Sequence, residues 1–313
     1  MKAKSKEVRK TTIVLTSIFI LLFLGACSSN EFTPNGEEKV KADAYTQLSE
    51  NLDLYNQSYL KVNTCPQTRG WWHKWNWFNT RGKYIVSCDA LGARVGARWG
   101  RWGALGGAVG ASLIAALFSD NQVVTVDDKF TCKLQNASLP LNSNEDRMID
   151  SESLELDSIG YYHNEIMLSI ERKIPDVYNQ NLDTDEVMSI VSGEMKELDC
   201  PMPEERIIKE IFNETSALIP SKDIFLSEEA FVSHLESVQP EYLQDYKIIN
   251  DYLITTQKIA KENIQDYTEG VVRVVQESEL QQEEKQALVG SILVGGNSVL
   301  LWTEVDSEIS DED

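Results

Sequence analysis

The chain has 313 residues, 42% of them hydrophobic, which is enough for one or two packed domains. Its net charge of −21 is concentrated over residues 120–313, where 42 acidic groups face 14 basic ones. A body this acidic excludes nucleic acid as a partner, because phosphate contacts need a cationic surface.

Residues 1–26 stand apart from the fold. Lys2, Lys4, Lys6, Arg9 and Lys10 form a basic start, and Ile13 to Leu24 a short apolar run. Leu24-Gly25-Ala26-Cys27 comes next. The apolar run is shorter than a comfortable bilayer span, which favours a signal peptide over an anchor. The four-residue motif resembles the lipobox of bacterial lipoproteins, and this resemblance implies cleavage before Cys27 and lipidation of its thiol. Ser28 is not the aspartate that retains such proteins at the inner membrane, so the resemblance favours the outer membrane.

Residues 27–41 read as a polar tether containing the turn signal Pro34-Asn35-Gly36. A helix is predicted over residues 42–64. Tyr45, Leu48, Leu52, Tyr55 and Tyr59 recur there at helical steps, as a face that packs on the body.

Residues 65–135 form a Trp-rich, glycine-rich module. Trp71, Trp72, Trp75 and Trp77 stand among basic residues, and Trp99 and Trp102 lie further along. Rings beside cations suit a membrane–water interface. Stacking on sugar rings and burial against the glycines are the competing readings. Gly92, Gly96, Gly100, Gly103, Gly107 and Gly110 step by three or four residues and mark one face of a helix, with Arg94, Arg98 and Arg101 opposite. Interior glycines cost a helix about 1 kcal/mol each, and close approach of another helix is the usual recompense. Asp89 is the expected N-cap. A continuous helix from Ala90 to Phe118 would be about 43 Å long, with an uncharged part of about 26 Å from Trp102, near the lower limit for crossing a bilayer. Gly106-Gly107 offers a bend into a hairpin.

With the lipobox, the Gly-Ala-x-x-Gly steps from Gly92 to Gly110 resemble the glycine-zipper segments of bacterial envelope lipoproteins, a group that includes small outer-membrane lipoproteins of the seventeen-kilodalton antigen type. The resemblance implies a segment that inserts in, or packs against, a membrane. The three arginines and the long acidic region after them have no counterpart in that group.

Residues 122–126 and 130–134 read as a short β-hairpin, and residues 136–150 as a linker. An acidic helical domain is expected over 151–305, then an acidic tail over 306–313. Helices are predicted over Ser158 to Ile174, from Asp183 or Thr184 to Leu198, from Pro203 to Leu218, and from Ser227 to Ser237. One long helix is predicted between Pro240 and Ser278. A last one carries Leu288, Ile292, Gly295, Val299 and Trp302 and packs antiparallel to it. The fold class is therefore mainly α.

Five cysteines less Cys27 leave an even set, and Cys65–Cys88 is the preferred disulfide because it would close the tryptophan loop. Neither a metal-site spacing nor a cofactor fingerprint occurs, and His73, His163 and His234 are scattered; His163 reads as part of a polar cluster within the bundle. The expected function is a non-enzymatic, lipid-anchored envelope protein. Its partners would be membrane lipid and either a second copy or another envelope protein. A pore-forming protein and a glycan-binding lipoprotein are the alternatives.

Overall fold

The computed structural model describes residues 36–63, 81–119, 158–175, 177, 180, 182–219, 228–256 and 258–309. These are mainly α-helical, without strands among them. The signal peptide with Cys27, the segment holding Cys65 and Trp71 to Trp77, the expected β-hairpin and the linker lie outside the described residues. The chain divides into two compact units, Met1–Asp43 and Ala44–Asp313. Of the first, only the opening turns of a helix are described; the second holds every other described element.

Helix α1, Gly36–Asn63, begins within the expected tether. From Ala44 onward it buries Tyr45, Leu48 and Leu52. Helices α2, Arg81–Gly96, and α3, Gly100–Ser119, are joined by the tight turn Ala97–Trp99. The acidic region supplies α4, Ile159–Lys173, α5, Thr184–Glu197, α6, Glu205–Leu218, and α7, Glu228–Val238. It closes with α8, Leu243–Thr256, α9, Ile264–Gln276, and α10, Gln282–Ile309.

The start signals read from the sequence operate where the cap chemistry is local. Asp183 Oδ1 accepts from the Glu186 amide at 2.9 Å, while Glu186 Oε2 accepts from the Asp183 amide at 2.8 Å. This reciprocal capping box opens α5.

Four expectations are corrected. The glycine helix is not continuous and does not bend at Gly106-Gly107; it breaks at Ala97–Trp99 and folds back at Gly100. Asp89 is not an N-cap but a fully buried residue inside α2. The rod expected between Pro240 and Ser278 is two helices, α8 and α9. Folding back stacks Tyr252 on Tyr267, ring centroids 5.7 Å apart and planes within 2°. Both helices pack on α10. The expected acidic tail is partly helical, since α10 runs to Ile309.

Helices α2, α3 and α10 occupy the interior: α2 packs on α3 and α10, α4 crosses both α3 and α10, and α5 and α6 cover α3. The tyrosine face of α1 docks on α9, where Tyr59 donates to Asp266 at 2.9 Å and Tyr267 donates to Asn56 at 2.7 Å.

Candidate functional site: the glycine hairpin and its buried polar cluster

The α2–α3 hairpin is held by glycines that face each other across the seam. A Cβ on Gly92 would strike the Gly107 carbonyl, and one on Gly107 would strike that of Gly92. Gly96 and Gly103 stand in the same reciprocal relation. Four residues up one helix correspond to four down the other, the register of an antiparallel pair whose backbones touch. Gly110 meets the Phe212 ring on α6 instead. Gly100 lies outside the seam: its φ of 78° and extended ψ place it in a region only glycine occupies readily, and it makes the turn. The six glycines read as one stripe thus do three separate jobs.

The arginines divide as well. Arg94, expected on an interfacial face, turns inward with 12% of its side chain exposed; its Nε lies 2.8 Å from Asp245 Oδ2. Tyr45 donates to the other oxygen of that carboxylate at 2.6 Å. Arg98 pairs with Glu214 and covers the Trp99 ring at 3.8 Å. Arg101 lies 4.7 Å over Trp102, whose ring is 5.9 Å from that of Tyr162. Both tryptophans are half-buried at the hairpin turn. Cys88 is a free, buried thiol whose pKa burial pushes up. Cys88 sits in the core of α2, and Cys65, its expected disulfide partner, lies outside the described residues.

Below the glycine seam lies the polar cluster to which His163 was expected to belong; its other members were not legible from spacing. Asp89 from α2, Ser112 from α3, His163 and Asn164 from α4, and Ser298 from α10 are all fully buried. Ser112 and Ser298 hydrogen-bond to the two oxygens of Asp89. His163 Nε2 is 3.0 Å from Ser112 Oγ and 3.6 Å from Asp89 Oδ2. His163 Nδ1 is 3.0 Å from Asn164 Oδ1, and Asn164 Nδ2 donates to the Asn297 carbonyl at 3.0 Å.

The chain matches no family model, no curated protein and no solved structure.

Serine, histidine and aspartate are the residue types of a nucleophilic triad, but their order here differs. In a hydrolase the imidazole stands between serine and carboxylate. Here Ser112 stands between Asp89 and His163, while the far imidazole nitrogen faces Asn164. All three side chains are closed to solvent. Burial pushes the Asp89 carboxyl up to about 7 against the favourable bonds from Ser112, Ser298 and Trp302. It pushes His163 down to about 4, against the bond to Asn164. Each shift disfavours a charge in a medium that cannot solvate it. Below about pH 7 the cluster is thus neutral, and it positions four helices through side-chain hydrogen bonds.

Among the described residues, no set of three His, Cys, Asp or Glu side chains is placed to hold a metal. No described helix is long and apolar enough to cross a membrane.

Proposed function

We propose that this chain is a non-enzymatic, lipid-anchored protein of the bacterial envelope, at the outer membrane. Its glycine-rich segment acts as an internal helix-packing seam, and its acidic bundle is an interaction module for a second copy or another envelope protein. The observation that carries the seam is the reciprocal contact of Gly92 with Gly107 and of Gly96 with Gly103. Glycines whose close approach is already taken up within the chain have no need of a lipid or a neighbouring protein to recover their cost. Cys27 supplies the membrane attachment in this reading. A Cys27→Ala protein fractionated with and without mild salt tests it: complete release to the soluble fraction is expected. Retention on membranes would argue for a second membrane contact through the hairpin.

A second reading is a pore-forming protein whose α2–α3 hairpin leaves the bundle. What favours it is that α3 carries no charged residue after Arg101 and is enclosed by helices with polar outer faces. Dye leakage from liposomes on addition of the full mature chain would support that reading over the first.

A further inference from the structure

We infer that Asp89, Ser112 and His163 share one proton inside the bundle, and that this proton locks the glycine hairpin to α4 and α10. The lock is independent of the proposed function and rests on the hydrogen-bond donors present in the cluster.

Asn164 fixes the direction of the chain of bonds. Its Nδ2 is committed to the Asn297 carbonyl, so its Oδ1 can only accept, and His163 Nδ1 must carry a hydrogen. A neutral His163 then presents a bare Nε2 to Ser112 Oγ. Ser112 has one hydrogen and two neighbours that both ask for it, Nε2 and Asp89 Oδ1. With one extra proton the conflict disappears. The Asp89 carboxyl donates to Ser112, Ser112 donates to His163 Nε2, His163 donates to Asn164, and Ser298 donates to the remaining Asp89 oxygen. The proton can pass along this path: the O–H of Asp89 breaks as Ser112 gains its hydrogen, and the Ser112 O–H breaks as Nε2 gains one. The result is a carboxylate beside an imidazolium, with the overall charge unchanged.

With no proton, a buried carboxylate is left without a counter-charge and one acceptor has no donor. With two, an unneutralised cation is buried. Only the one-proton state is both neutral and fully bonded.

Among the described residues, no further titratable group closes this balance from the neighbouring helices. Cys88 adjoins Asp89 on α2, but its thiol is held protonated by burial. On the α8 side Asp245 is taken by Arg94 and Tyr45, and on the α6 side Glu214 is taken by Arg98. Ser291, Asn297, Ser298 and Trp302 are the buried polar groups of α10, and Ser112 that of α3; none of them titrates in this range. On α4, Glu165 is the carboxylate nearest in sequence, and it is only half-buried.

The sign follows from counting. Between about pH 4 and 6.5 the unfolded chain holds one proton on His163, and the folded chain holds one on Asp89. The pair therefore adds no pH dependence there. Above about pH 7 the folded chain loses its proton and the lock weakens.

Full-length mature protein, its Asp89→Asn and His163→Gln variants, and urea unfolding from pH 4.5 to 8.5 test this. The amide introduced by D89N can donate to Ser112 as the protonated carboxyl does. Relative to wild type, D89N should gain stability above pH 7.5. It should lose it below 6.5, with the unfolding constant rising by up to about tenfold per pH unit. H163Q should do the opposite in acid, gaining on wild type as pH falls from 7. Parallel profiles for the two variants would overturn the inference. Should either variant fail to fold, the nitrogen resonances of His163 in the wild type decide alone. A neutral ring protonated at Nδ1 from pH 5 to 8 is expected, and titration to imidazolium near pH 6.5 would refute the shared proton.

Discussion

Arg94 and Asp245 form an ion pair 2.8 Å long with the carboxylate 1% exposed, although about half of the chain separates them. The Tyr45 hydroxyl binds the same carboxylate, and the Arg94 guanidinium lies 5.0 Å over the Tyr242 ring. One arginine thereby ties the hairpin to α1 and α8. Burying two charges is costly, and removing one partner strands the other. Arg94→Met should destabilise the protein by about 3–5 kcal/mol. The double variant with Asp245→Leu should recover most of that, as measured by denaturant unfolding. Additive losses would show that the two do not act as a pair.

The glycines separate by what surrounds them. Gly96→Ala and Gly103→Ala each drive a methyl into a backbone carbonyl that cannot rotate away. Losses of about 3 kcal/mol are expected, the upper range for overpacking. Gly193 lies in α5 with open space around it. Gly193→Ala should raise stability by about 1 kcal/mol, because only the helix propensity of alanine is felt. Thermal unfolding of the three variants gives the comparison directly.

At Gly100 the obstacle is conformational. No atom lies within 4 Å of a built Cβ, yet φ is 78°. Gly100→Ala should cost about 1–3 kcal/mol without changing the seam. Its crystal structure or amide exchange should show the disturbance confined to the α2–α3 turn. A disturbance spreading to Gly92 and Gly107 would mean that the turn and the seam are coupled.

The docking of α1 is sensitive to alkali. Burial, followed by the Asp266 charge, pushes the Tyr55 hydroxyl up to about 12, and Tyr59 and Tyr267 rise in the same direction. A phenol whose folded pKa is raised binds its proton more tightly when folded. Its contribution is intact below pH 10 and is lost as pH climbs from 10 toward 12. Tyrosinate absorbance should lag behind that of free tyrosine over this range and then rise as α1 detaches. Tyr59→Phe, which removes the bond to Asp266, should bring the rise to lower pH.

Cys88 provides a chemical clock for opening. Its buried thiol should resist alkylation in the native protein and react at the rate at which the hairpin opens. Mass mapping of alkylated, unreduced protein should find it unlinked. A Cys65–Cys88 peptide in that map would restore the disulfide expected from spacing.

The sequence by itself determined the helical class, most helix positions from Ser158 onward, and the buried face of α1. Those depend on residues three or four apart, which a helix brings together wherever it lies. The capping box of Asp183 and Glu186 is local for the same reason. Only tertiary structure decided that the glycine stripe is a folded hairpin. A period of three or four fits one long face as well as two short ones, and Gly100 resembles its neighbours until its φ is known. The break between α8 and α9 was hidden in the same way, since one near-heptad pattern runs through both. Asp89, Ser112, His163 and Ser298 come from four helices at unrelated spacings, so no motif could announce them. They meet because the glycines let α2 and α3 approach closely enough to carry Asp89 and Ser112 to one depth, where α4 and α10 supply the rest.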